Sequence, residues 1–152
     1  MAYCYRYGYG CEIDEARSLE LARESSKRGS RYGQLMLGKF HYYGEGGLAE
    51  DHAQAVAFYR LAAAQGLDEA QYSLGHMYYD GDGVTQDYAE ALRWYQLAAA
   101  QGHPMALYEV AFCHEHGRGG VAADVAEAIR CYRRAQAAGY SHAAADLRRL
   151  GA

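Results

Sequence analysis

The chain has 152 residues, 51% of them hydrophobic, and a formal net charge of −4 drawn from 15 basic and 19 acidic residues. That length suits a single domain with a real core, and the interspersed charge leaves no basic footprint of the kind nucleic acid demands. No stretch approaches the roughly 18–20 apolar residues of a membrane span, and the N-terminus, "MAYCYRYGYGCEIDEAR", lacks a basic-then-apolar signal pattern.

Ala is abundant, and the chain holds 16 Tyr, 18 Gly and a single Pro. Such a chain reads as mostly helical, with Gly supplying the breaks. A first stretch, "AYCYRYGYGCEIDEARSLELARESSKRG", closes on Gly29. The next, "GQLMLGKFHYYGEGGLAEDHAQAVAFYRLAAAQG", closes on Gly66. It is followed by "AQYSLGHMYYDGDGVTQDYAEALRWYQLAAAQG", closing on Gly102, and "ALYEVAFCHEHGRGGVAADVAEAIRCYRRAQAAG", closing on Gly139. These segments superimpose, so the chain divides into repeats over approximately 1–29 (partial), 30–66, 67–102 and 103–139, with a partial capping helix over 140–152. Differences of one residue in the period map to a doubled glycine, Gly46-Gly47 and Gly119-Gly120, where the third repeat has only Gly83; loops tolerate such insertions.

Each unit predicts a first helix (A), a Gly-x-Gly loop and a second helix (B). Asp51, Asp87 and Asp124 stand at the start of helix B, with Gln54, Glu90 and Glu127 three residues on. That spacing predicts capping boxes, in which the Asp accepts first-turn N–H groups and the later side chain reaches back. Asp14 with Arg17 makes only half of one. The "AAAQG" endings place Gly where a helix end needs a left-handed residue, and Pro104 falls in the first turn of its helix. Apolar columns recur at helical spacing, among them Ala55/Ala91/Ala128, Tyr59/Tyr95/Tyr132, Leu37/Leu74/Val110 and Gly38/Gly75/Ala111. One hairpin cannot bury both its faces, so neighbours must stack into an all-α, α/α solenoid.

The third unit resembles a Sel1-like repeat, with Ala-x3-Leu-Gly-x2-Tyr, Gly-x-Gly-Val, Asp-x3-Ala and Trp-Tyr-x2-Ala-Ala in order. The tetratricopeptide repeat is shorter, about 34 residues, and lacks this glycine loop. Ala111, Cys131 and Gln136 depart from the pattern, and the first repeat is cut short. The resemblance implies an α/α superhelix used as a non-catalytic adaptor for protein or peptide partners, often bacterial, in signalling, secretion, envelope processes, immunity or host contact. A different class also follows from it: some cysteine-rich relatives bind or hydrolyse β-lactams, which makes a small-molecule or cell-wall-fragment binder, or a β-lactam-type hydrolase, the alternative.

Candidate chemistry is sparse. "YYDGDGVTQD" offers three acids and two glycines, but an EF-hand loop begun at Asp80 would place Val84, Thr85 and Ala91 at positions five, six and twelve. Its acids are not held in the sister loops, where Asp80 becomes Tyr43 and His116 and Asp82 becomes Glu45 and Arg118. "CHEH", Cys113 to His116, suggests zinc, yet His114 and His116 diverge by about 200° on a helix, and Cys113 and His114 fall in core columns. Cys4, Cys11, Cys113 and Cys131 all align with apolar residues and read as buried thiols; Cys113 and Cys131 form the only pair within one complete repeat that could bridge its two helices. No serine sits in a nucleophile elbow, and Ser-x-x-Lys is absent. No catalytic, cofactor or metal residues are assigned.

Subtracting the core columns from helix A leaves its other face. Tyr72, His76 and Tyr79 turn outward there, with Leu35, Lys39 and Tyr42 in repeat two and Tyr108, Phe112 and Glu115 in repeat four. Tyr3 and Arg6 extend the row into repeat one. Tyr with a few charges is the composition of a protein-binding surface, and this row is the expected concave partner-binding face. The competing reading is that neighbouring repeats bury some of the rings, Tyr72 and Tyr108 first. Exposed end layers would favour self-association. A cytoplasmic place is expected if this is the full chain, and a periplasmic or secreted one if a signal peptide was removed.

Overall fold

The computed structural model describes residues 14–152. Tyr3, Arg6, Cys4 and Cys11 lie outside them. Among the described residues there is no strand, and eight helices follow in order: α1 (Glu15–Lys27), α2 (Arg31–Tyr43), α3 (His52–Ala64), α4 (Asp68–Asp80), α5 (Tyr88–Ala100), α6 (Pro104–His116), α7 (Val125–Ala137) and α8 (Ala143–Arg149). The even-numbered helices are the A helices of successive units, and α1, α3, α5 and α7 are the B helices. Substantial packing runs only between consecutive helices, as a stack of hairpins requires.

The helix starts follow the aspartates. Asp14, Asp51, Asp87 and Asp124 accept N–H bonds from Arg17, Gln54, Glu90 and Glu127 at 2.8, 2.9, 3.1 and 2.9 Å; each such cap stabilises by about 1 kcal/mol. The expected reach-back is not made. The Asp51, Asp87 and Asp124 N–H groups donate instead to the carbonyls of His41, Tyr78 and His114 at 2.8, 2.9 and 2.7 Å. A carbonyl near the end of each A helix lacks an intrahelical partner, so this bond satisfies two orphan groups and fixes the angle between A and B. Freed of that duty, Glu90 and Glu127 pair with Arg93 and Arg130.

Glycine geometry sets how the layers meet. Gly66 and Gly102 close their helices with φ of 77° and 86°, and the following N–H groups of Leu67 and His103 reach back to Ala62 and Ala98 at 3.3 and 3.2 Å, the bond pattern of a left-handed helix stop. Gly83, the second glycine of its loop, lies so close to the His52 and Ala53 backbone of the preceding B helix that a Cβ would collide with it. Gly119 likewise seats on Tyr88 and Leu92. The Gly-x-Gly loop is therefore an inter-repeat joint.

Within a repeat, Gly75 opens room for the Tyr95 ring: a Cβ there would stand 2.7 Å from ring carbons, while Tyr95 is 1% exposed. Gly38 does the same for Tyr59. Repeat four carries Ala111 at this position and still buries Tyr132, whose hydroxyl donates to Glu115 at 2.9 Å. Side-chain amides also tie A to B. Gln65 donates to Gln34 at 2.7 Å and Gln101 to Gln71 at 2.8 Å; in repeat four the pair is replaced by Leu107 and Ala138. Cys113 and Cys131 are buried free thiols, each pushed up to about 11 by desolvation.

Candidate functional site: the face of the A helices

The row read from the sequence divides into three sorts of position. Leu35 does not belong to it: the side chain is 4% exposed and sits in the core with Val56, Tyr59 and Leu74. This corrects the outward placement, and the cause is the neighbouring layer, which covers the start of α2. Lys39 reaches across to Glu69 on α4 at 2.5 Å, and Tyr42 stacks on His52 with centroids 4.9 Å apart. Tyr72 is half-buried, stacked on His103 at 4.9 Å and pushed up to about 12 by desolvation and then by the Glu109 charge. His76 remains accessible and holds Asp80 at 2.8 Å.

Tyr79 and Phe112 are brought together by a cation that sequence reasoning passed over. The Arg118 guanidinium lies over the Tyr79, Tyr88 and Phe112 rings, 5.6, 5.5 and 5.3 Å from their centroids, and donates to the Tyr79 hydroxyl. This joins α4, α5 and α6 to the glycine loop of repeat four, where Arg118 lies between Gly117 and Gly119. Tyr108 and Glu115 are engaged in holding α8. The Tyr108 hydroxyl donates to Asp146 at 2.9 Å, and Arg149 bridges Glu115 at 2.7 Å and Asp146 at 2.9 Å. Arg149, with Tyr132, keeps the Glu115 carboxyl below its ordinary range.

Between these contacts the A helices α2 and α4 leave a wedge, a hollow of about 200 Å³ lined by Lys39, Tyr42, Tyr43, Tyr72, Ser73 and His76, with Tyr59 and Met77 behind them. One repeat on, the same register positions are His76, Tyr79, Asp80, Tyr108, Glu109, Phe112, Tyr95 and Cys113. Glu109 thus takes the place of Ser73. Burial, and then the like charge of Asp80, raise its carboxyl to about 7. Its charge in turn acts on Tyr72, Tyr95, Tyr108, Tyr140 and Cys113. The signal in the sequence was the column Met36/Ser73/Glu109/Asp146, which turns acidic from the fourth repeat onward.

The tempting motifs resolve as local structure. Asp80 pairs with His76, and Asp82 lies 3.9 Å from His52. In "CHEH", Cys113 is 1% exposed in the core, while His116 is exposed and takes up contact with the Phe112 carbonyl and ring.

A stack of A/B hairpins, joined by glycine loops and presenting a tyrosine-lined A face, defines the class of α/α solenoid repeat proteins. Sel1 repeats match residues 1–30, 31–67, 68–103 and 104–140, and the chain belongs to the Sel1 repeat family. Among solved structures it is similar to a protective antigen of uropathogenic Escherichia coli that displays an SLR fold. The two share 33% identity over 93% of this chain and 30% of that one, with a TM-score of 0.86. It is also similar to a Sel1 repeat protein from Oxalobacter formigenes, with 29% identity, 96% and 59% of the two chains covered and a TM-score of 0.88. Helicobacter pylori cysteine rich protein B shares the fold, with 16% identity, 89% and 96% coverage and a TM-score of 0.67. The chain spans under two thirds of the length of the first two. No curated protein matches it. No helix among the described residues is long and apolar enough to cross a membrane.

Proposed function

We propose that this chain is a non-catalytic adaptor that grips a protein or peptide partner along the concave A-helix face, in a bacterial signalling, secretion or immunity setting. Sel1 repeats typically mediate protein–protein interaction, and the relatives are bacterial proteins. The observation that carries the reading is the hollow between α2 and α4. Its rim of Lys39, Tyr43, Tyr72 and His76 combines accessible rings with charge, and half-buried tyrosines anchor interfaces at low conformational cost.

Affinity capture from the source cell tests it. His76→Ala with Tyr43→Ala alters the rim, where Tyr43 is 58% exposed; Leu97→Ala, on α5 and 42% exposed, is the control. The partner is retained by wild type and control and lost with the double variant, whose Tm stays within a few degrees. Equal retention by the double variant sinks the reading, and turnover of a β-lactam reporter would replace it with a hydrolase.

A further inference from the structure

The hollow between α2 and α4 is small, and its size restricts what can fill it. At about 200 Å³ it lies below the roughly 300 Å³ at which sites for drug-sized ligands begin. A cavity of about 150 Å³ takes one benzene ring. The hollow therefore has room for one ring of benzene size or a little more, the volume of a single large side chain.

Its charges are already matched. Lys39 and His76 are the basic residues of the lining, and the acids they hold are not part of it. Lys39 binds Glu69 at 2.5 Å and His76 binds Asp80 at 2.8 Å. An incoming carboxylate would have to displace one of those acids, and an incoming ammonium would meet Lys39. Neither exchange offsets the cost of stripping water from the visitor's charge. An uncharged visitor meets no such obstacle.

Rings supply the walls. Tyr42 and Tyr43 meet edge to face at 4.9 Å, and Tyr72 meets His76 edge to face at 6.3 Å. Behind them Tyr59 and Met77 are buried, and a thioether makes favourable contact with an aromatic edge. Aromatic pairs add attraction beyond the area they bury. The lining also offers two acceptors. The Ser73 hydroxyl donates to the Glu69 carbonyl at 2.8 Å, which leaves lone pairs on its oxygen to accept. The Asp80 carboxylate can only accept, so the His76 Nδ1 beside it carries the proton, and Nε2 of the neutral ring is an acceptor.

We propose that the hollow between α2 and α4 receives one tyrosine or tryptophan side chain of the partner, its ring among the tyrosines of the two helices and its O–H or N–H given to Ser73 or His76. The inference rests on the A-helix face being the partner surface and adds the side chain that this surface selects. Tyrosine and tryptophan seated in such pockets carry much of an interface's binding energy.

The test uses side-chain mimics: p-cresol for tyrosine, toluene as the same ring without a donor, and n-butylammonium and propionate for the two charges. Each is titrated into the ¹⁵N-labelled protein and followed by amide chemical shifts. p-Cresol should shift the Tyr43, Ser73 and His76 amides saturably. Toluene should bind about two- to tenfold more weakly for want of the hydrogen bond, and neither ion should saturate. Ser73→Met should remove p-cresol binding, because it fills the hollow with the residue that repeat two carries, buried, in the same column as Met36. Binding of either ion as tight as that of p-cresol, equal binding of toluene and p-cresol, or unchanged p-cresol shifts in Ser73→Met overturns the proposal; the wild-type ranking decides it should the variant fold poorly. In affinity capture, a partner lost by the His76/Tyr43 variant but held fully by Ser73→Met sinks this inference and leaves the adaptor reading standing. Retention by the His76/Tyr43 variant sinks the adaptor reading, while p-cresol selectivity in wild type still upholds a ring site in the hollow.

Discussion

Glu109→Gln should stabilise the protein, by an amount that grows as the pH rises from 4.5 to about 7. The folded carboxyl titrates at about 7 against an ordinary 4.5, raised by burial and by Asp80. A group whose folded value lies above its unfolded one gives its full stability below the unfolded value and loses it as the pH climbs through the folded one. The loss therefore runs between pH 4.5 and about 7. At about 1.4 kcal/mol per tenfold change in ionisation constant it sums to about 3 kcal/mol. Glutamine carries no charge, so it escapes this loss, but its buried amide costs about 1 kcal/mol. The net gain at pH 8 is about 2 kcal/mol, or about 4–8 °C in Tm for a chain of this size. At pH 4.5, where wild-type Glu109 is already protonated, the variant should be no more stable than wild type. Thermal unfolding by circular dichroism across pH 4.5–8.5 measures both. An unchanged difference at the two ends, or a Tm loss at pH 8, would refute the claim that this carboxylate lacks a counter-ion.

Two further outcomes concern the packing. Gly75→Ala places a Cβ 2.7 Å from the Tyr95 ring and should cost about 1–3 kcal/mol by chemical denaturation, while Ala111→Gly, in the repeat that already accommodates the methyl, should cost no more than about 1 kcal/mol. Gln71→Leu removes the bond to the exposed Gln101 amide, which water can replace, and the 3.3 Å bond to the buried Ala63 carbonyl, and should cost about 1 kcal/mol by chemical denaturation; adding Gln101→Ala, which reproduces the Leu107 and Ala138 of repeat four, should change that by no more than about 0.5 kcal/mol.

The stretch "YYDGDGVTQD" shows what could be read locally. Gly81 and Gly83 adopt φ of 81° and 65°, and Asp87 caps α5. These roles depend on a residue's own backbone or on neighbours within a turn, so repetition every 36 or 37 residues is enough to reveal them. The capping box failed for the opposite reason. Whether Glu90 reaches back depends on what else claims the Asp87 N–H, and the Tyr78 carbonyl across the A/B joint takes it. Tyr79 likewise reads as a free ring in sequence, yet Arg118, 39 residues away, lies over it.

By itself, then, the sequence determined the repeat, the helix pairs, their caps and glycine stops, and the stacking of neighbours, because each follows from propensity and period within one unit. Only the tertiary structure decided which members of the A-helix row stay open. It buried Leu35, tied Tyr79 and Phe112 to Arg118, engaged Tyr108 and Glu115 with α8, and left Glu109 uncompensated. Those outcomes depend on which side chain the next layer brings alongside, and a repeat pattern specifies the place of that side chain but not its charge.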